Sequence, residues 1–408
     1  MARNITRFAD RTFFHTVDLD LLERLLAQCG VPPRALPSDR GERANALFDI
    51  FFRADEGSLE LHEALYSIMR LDNHNGMSLL LDLAAAEGNR LEMPVQASGS
   101  GGGDPPPVTP RHLALKAYLD RREIFNAALD MLAFVLPRAP LEWQGLEENV
   151  RPPSDGGGRE AFRQAASEYF QERYRGDFCD VKWFDEADEL DVLVVHGKHL
   201  QTILSERKGK EEPLTFHEIR SSTLRYDCVT GFLKVTGQDD RDKEKLKVLF
   251  ATHVLKRPKF FDHTDSQNLY TFDPMVRAGP RFVLERGPDD TLIKWAIREI
   301  QFDEGERRDK LRKRRPRWAH TVRHVHNAVA HLGEAMPDLD FNTVRFTLMK
   351  IELKFRFDGR ARPAAVIVKP PGICRGPQGK LEPRVVAFLR HNGLSRSRRA
   401  AAAAAAAD

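Results

Sequence analysis

Three groups of residues have types and spacings that could do chemistry. The first is Arg312, Lys313, Arg314, Arg315, Arg317 and Trp318, interrupted only by Pro316. Guanidinium forks suit phosphate oxygens, and a neighbouring indole can stack on an exposed base. Arg396, Arg398 and Arg399 add cations close to the end. The second group is His320, His324, Asn327 and His331, which share one face if residues 318–332 form a helix. His320 and His324 then have the i, i+4 spacing of a metal pair, but position 321 is Thr where a HExxH site needs Glu. The simpler reading is a polar helix face, and no metal or other cofactor is expected. The third group is Asp191, which opens an apolar run over 191–195, with Glu206 and Lys208 about fifteen residues further on. Two carboxylates can hold Mg²⁺ while a lysine steadies the attacking water.

That last spacing resembles the core of the PD-(D/E)xK nucleases. The resemblance implies metal-dependent cleavage by Asp191, Glu206 and Lys208, although residues 205–210 read as a charged turn and not a strand interior. The histidine stretch resembles the Rx4–6H motif of the HEPN ribonucleases through Arg315 with His320 and Arg317 with His324. The β-rich sequence around it departs from their all-helical fold.

Charge ranks these candidates. Residues 301–399 hold 23 Lys and Arg against 10 Asp and Glu, whereas residues 1–300 hold 40 against 49. An acidic body with a basic C-terminal quarter is the electrostatic footprint of a chain that meets a polyanion at one end. His253, Asp262, His263 and Asp265 also lie close in sequence, in what reads as an ordinary loop. The four cysteines are far apart, which disfavours a disulfide framework or a Cys-rich zinc site and points to a reducing, cytoplasmic setting. No apolar run approaches the roughly 20 residues of a membrane span, so no membrane association is expected.

These groups need elements to position them. Leucines at 3–4 spacing over 19–26, the apolar stripe over 47–52 and two further periodic stretches make residues 1–95 a helical interaction module. Residues 96–110 read as a flexible Gly/Pro linker, 111–176 as a helical segment and 177–303 as a β-rich α+β domain. A basic helix, β-hairpin and helix fill 304–399, and 400–408 is a low-complexity tail. Strands are expected over 178–184, 190–195, 224–226, 232–235, 269–272, 282–284, 292–300 and 344–357, with one helix at about 240–255. The fold class is α+β and multi-domain, with a mainly antiparallel central sheet. The function expected is a non-catalytic nucleic-acid-binding adaptor whose 1–95 module engages a protein partner or a copy of itself. A nuclease and a pure protein-assembly component are the alternatives.

Overall fold

The computed structural model describes residues 11–31, 35–52, 59–88, 91, 109–135, 140–153, 156–207, 209–303, 319–357, 360–377 and 381–396. The fold is mixed α and β, with twelve α-helices and ten strands in two antiparallel sheets among the described residues. Two compact units divide it, Met1–Val135 and Leu136–Asp408.

The first unit is helical: α1 (Arg11–Thr16), α2 (Leu19–Gln28), α3 (Arg40–Phe52), α4 (Leu59–Leu71), α5 (His74–Ala86), α6 (Pro110–Asp120) and α7 (Arg122–Val135). Asp18 caps α2 by accepting from the Asp20 amide, and Leu19, Leu21, Leu22, Leu25 and Leu26 form its buried face. Asn73 caps α5 through the Gly76 amide, so the polar 72–76 stretch starts a helix as well as turning the chain. The grouping differs from the sequence expectation, because α6 and α7 belong with α1–α5 and not to a separate 111–176 segment. Arg24 pairs with Asp120 at 2.6 Å, and Arg111 reaches Asp72 at 3.0 Å. Apolar faces on both sides of the Gly/Pro stretch thus share one unit; residues 92–108 themselves lie outside the described residues.

In the second unit, β1 (Pro140–Gln144), β2 (Cys179–Asp185), β3 (Glu189–Arg207), β4 (Lys210–Asp227) and β5 (Phe232–Thr236) form a sheet in the order β1-β5-β4-β3-β2. Alternate residues Leu190, Val192, Val194, Leu224 and Tyr226 join a core with Phe162, Ala166 and Phe170 of α8 (Gly157–Glu172). Leu246 and Leu249 of α9 (Asp240–Leu249), and Phe250 and Val254 of the following π-turn, complete it. Residues 226–232, with Gly231 at the turn, read as a hairpin in the sequence, and the β4–β5 connection is one. Gly231 has φ +68°, and the Asp227 carboxylate accepts from the Val229 and Thr230 amides at 2.9 Å each.

The other sheet runs β10-β9-β8-β6-β7, from β6 (Leu292–Asp303), β7 (Ala319–Arg323), β8 (Arg345–Phe357), β9 (Arg360–Lys369) and β10 (Ile373–Arg375). Its core face packs residues from α10 (Asp273–Ala278), α11 (Ala328–Ala335) and α12 (Glu382–His391). The alternation over 344–357 changes parity near Leu348–Met349, which suggests a bulge, and one is present: Gln301 pairs with Leu348 but Phe302 with Phe346, which leaves Thr347 as an extra residue.

Three expectations fail. Residues 269–272 and 282–284 are not strands. Tyr270 makes one isolated bridge to Ser395, the Leu269 and Tyr270 amides both donate to the Pro371 carbonyl, and the Trp295 indole donates to Leu284. Their side chains are buried because loops cross the core there, so an apolar run arises without a ladder. The third failure is the 318–332 helix. Residues 319–323 pair with β6, from Asp303↔Ala319 to Glu299↔Arg323, and α11 starts only at Ala328, capped by Asn327.

The two sheets meet through buried charge. Arg225 holds Asp191 with two guanidinium nitrogens at 2.9–3.2 Å and stands 3.5 Å from Glu382 of α12. Lys234 on β5 donates to the other Glu382 oxygen at 2.7 Å, and the Tyr270 hydroxyl donates to Glu142 of β1 at 2.7 Å. Strand β5 is therefore buried on both faces.

Candidate functional site

The sheet β10-β9-β8-β6-β7 buries Ile351, Leu353 and Phe355 of β8 on its core face, so Lys350, Glu352, Lys354 and Arg356 point the other way. Cross-strand register places Glu299 beside Lys350, Lys294 beside Lys354, and Arg323 of edge strand β7 beside Glu299. On β9 and β10 the same face presents Ala365, Pro363, Lys369 and Arg375. Cations on this face outnumber carboxylates: Lys294, Arg298, Arg323, Lys350, Lys354, Arg356, Lys369 and Arg375 stand against Glu299, Asp303 and Glu352.

A shallow, open groove of about 730 Å³ crosses it, lined by Arg298, Arg323, His324, Val325, Lys350, Glu352 and the 363–365 stretch. Arg298 reaches Glu352 at 2.5 Å and also donates to the Val325 carbonyl; Arg323 reaches Glu299 at 2.7 Å. These arginines hold both carboxyls below the ordinary glutamate range. Among the described residues, Lys294, Lys350, Lys354, Arg356, Lys369 and Arg375 take part in no ion pair. Such a surface can track a row of phosphates as point charges. Its apolar components on β9 are Pro363, Ala365 and Ile367, with no aromatic ring among these strand residues to stack on a base.

The expected site residues fare differently. Arg312, Lys313, Arg314, Arg315, Arg317, Trp318, Arg398 and Arg399 lie outside the described residues, as does Lys208. The segment holding Arg312–Trp318 connects β6 to β7, and its flanking residues Asp303 and Ala319 are cross-strand partners at the edge of the cationic face. Arg396 is described and is engaged: it donates to Asn268 at 2.9 Å, to Thr271 at 3.3 Å and to Asp273 at 2.5 Å. It ties down the chain end and offers little free charge.

The histidine set does not share a helix face. His320 sits in β7 and stacks on Phe302 at 5.0 Å, Asn327 is the α11 cap, and His324 lies in the loop between them. His324 does stack on His331 at 4.8 Å, and its Nδ1 accepts from the His326 and Asn327 amides. Residues 315 and 317 lie outside the described residues, and with His320 in a strand the Rx4–6H comparison loses the helix it needs. Among the described residues, no three His, Cys, Asp or Glu side chains converge to hold a metal.

Asp191 and Glu206 are not brought together either. Asp191 is 3% exposed and neutralised by Arg225, whereas Glu206 lies at the far tip of the β3–β4 hairpin, its carboxylate accepting from the Gly209 amide. Fifteen extended residues separate them along one strand, on the order of 50 Å. Lysines and arginines at the base of that hairpin line a second cleft of about 490 Å³, but there charge is matched: Arg175 by Asp242, and Lys198 and Arg220 by Glu218.

No protein-family model and no curated protein matches this chain in sequence.

The residues missed by sequence reasoning are those of β8 and β6. Their signal was present as Lys350, Lys354 and Arg356, cations alternating with buried Ile351, Leu353 and Phe355. Period two gives such a strand one apolar and one cationic side.

Proposed function

We propose that this chain binds a nucleic acid through its phosphate backbone, across the outer face of the β10-β9-β8-β6-β7 sheet, without cleaving it. One observation carries the reading: Lys294, Lys350, Lys354, Arg356 and Lys369, which take part in no ion pair among the described residues, gather on one sheet face. The residues 304–318 that join β6 to β7 hold eight Lys and Arg against three Asp and Glu, and the residues that flank them, Asp303 and Ala319, are paired in that sheet. Association would release counterions, so affinity should fall steeply with salt and depend little on base sequence. The helical unit Met1–Val135 is then free to act as a protein-contacting module.

The test is fluorescence anisotropy with a labelled 20-base single strand and the matching duplex, at several salt concentrations. The combined substitution K350E/K354E/R356E should weaken binding at least tenfold and flatten the slope of log affinity against log salt. Equal binding by the variant and the parent would sink the proposal.

A further inference from the structure

The β3–β4 hairpin extends well beyond the sheet that holds its base. Strand β2 pairs with β3 only as far as Cys179↔His196, and β5 pairs with β4 only as far as Thr223. From Leu200↔His217 to Arg207↔Lys210 the two strands pair with each other alone among the described residues. That is a ribbon of about 23 Å.

Its surface is apolar where a free ribbon should be polar. Leu200 is 60% exposed, Leu204 74% and Leu214 50%, and Ile203 and Ile219 are also exposed. A lone two-stranded ribbon is marginally stable in water, and contiguous exposed aliphatic groups mark a contact surface.

The two edges of the ribbon are not equivalent. Strand β4 carries Pro213, which lacks an amide donor and is tolerated only where no neighbour completes the ladder. Strand β3 has no proline from Leu200 to Glu206, so its free edge is the available template. That edge is self-complementary. Antiparallel pairing with a second copy about a twofold axis at Thr202 sets Leu200 against Leu204 twice and Thr202 against its own copy. Moving the axis one residue, to Ile203, would place Leu200 against Glu206. The pairing centred on Thr202 matches apolar with apolar, as an isologous interface requires.

We propose that two copies of this chain associate by joining the β3 edges of their ribbons into one four-stranded antiparallel ribbon. The inference does not depend on the nucleic-acid reading.

The experiment uses the full chain, freed of nucleic acid, in sedimentation velocity at tens of micromolar. The expected species has twice the 46.4 kDa chain mass. Leu204→Glu, at a position too exposed to disturb folding, should give a monomer with an unchanged circular dichroism spectrum. Thr202→Cys should cross-link to a covalent dimer on mild oxidation, since directly opposed Cα atoms lie within disulfide reach. Tyr174→Cys, equally exposed but off the ribbon, should not. A monomeric parent, a dimer that survives Leu204→Glu, or equal cross-linking by both cysteine variants would overturn the proposal.

Discussion

The two sheets of Leu136–Asp408 share a plan, five antiparallel strands with a helix-packed core on one face, and differ in what lies on the other. In the β1-β5-β4-β3-β2 sheet the second face turns inward. Its Asp191 and Lys234 are buried, Arg225 is half-buried, and they are arranged in alternating sign, with Glu382 of α12 closing the chain of charge. In the β10-β9-β8-β6-β7 sheet the second face carries half-buried and exposed side chains whose charges are mostly alike among the described residues. The difference follows from desolvation. A charge removed from water survives only beside its opposite, whereas a row of like charges persists only where water or a counterion can reach it. Arginine therefore serves opposite ends in one molecule: Arg225 holds the interior together, and Arg323 stands 73% exposed at a rim.

The sharpest way to break the comparison is Asp191→Ala. Removing one member of a buried pair leaves Arg225 under-compensated, and unfolding in urea should show a loss of about 3 kcal/mol or more. A stable variant would mean that Asp191 has some other task. Next, Lys354→Ala, on the exposed face, should leave stability within about 0.5 kcal/mol. It should reduce the salt slope of nucleic-acid binding by about one unit. Both are measured on the same preparation.

A smaller effect sharpens the contrast within the exposed face. Glu299→Gln with Glu352→Gln frees Arg323 and Arg298 from their carboxylates, so binding should tighten by a few-fold at low salt. The same pair predicts a pH effect. Both carboxyls have folded pKa values below the unfolded value of about 4.3, so their contribution is fully present above that pH and is lost as pH falls through the folded values. Once pH has fallen below the folded values the double variant and the parent should melt alike, and the difference above the unfolded value should be small because these pairs are solvent-screened. The smallest effect belongs to Arg396→Ala. Its charge is already matched by Asp273, so nucleic-acid affinity should not change while thermal stability drops slightly.

Where one residue type met one period, the sequence could be read directly. Leucine spacing with Asp18 before it fixed α2, Gly231 marked the β4–β5 hairpin, and the helix expected over 240–255 is α9 and its π-turn. The reading failed where neighbours distant in sequence decide. Residues 319–323 are a strand because β6 offers an edge, which no local pattern records. Leu269, Tyr270, Phe282 and Leu284 are apolar because loops pass through a core, not because they pair. The candidate site was half legible: the excess of C-terminal cations was visible, but which of them share a surface depends on the register of β6, β7 and β8. Arg396, grouped with the others by sequence, turns out to be a fastener.

Glu382 has a consequence for how the chain is made. It is the carboxylate that answers Lys234, yet it emerges from the ribosome 148 residues later. Until then the nascent first sheet lacks the carboxylate that bridges Lys234 and Arg225 to the second sheet, so its final docking waits for α12. Synthesis stopped a few residues short of α12 should yield an aggregation-prone product, however complete its strands.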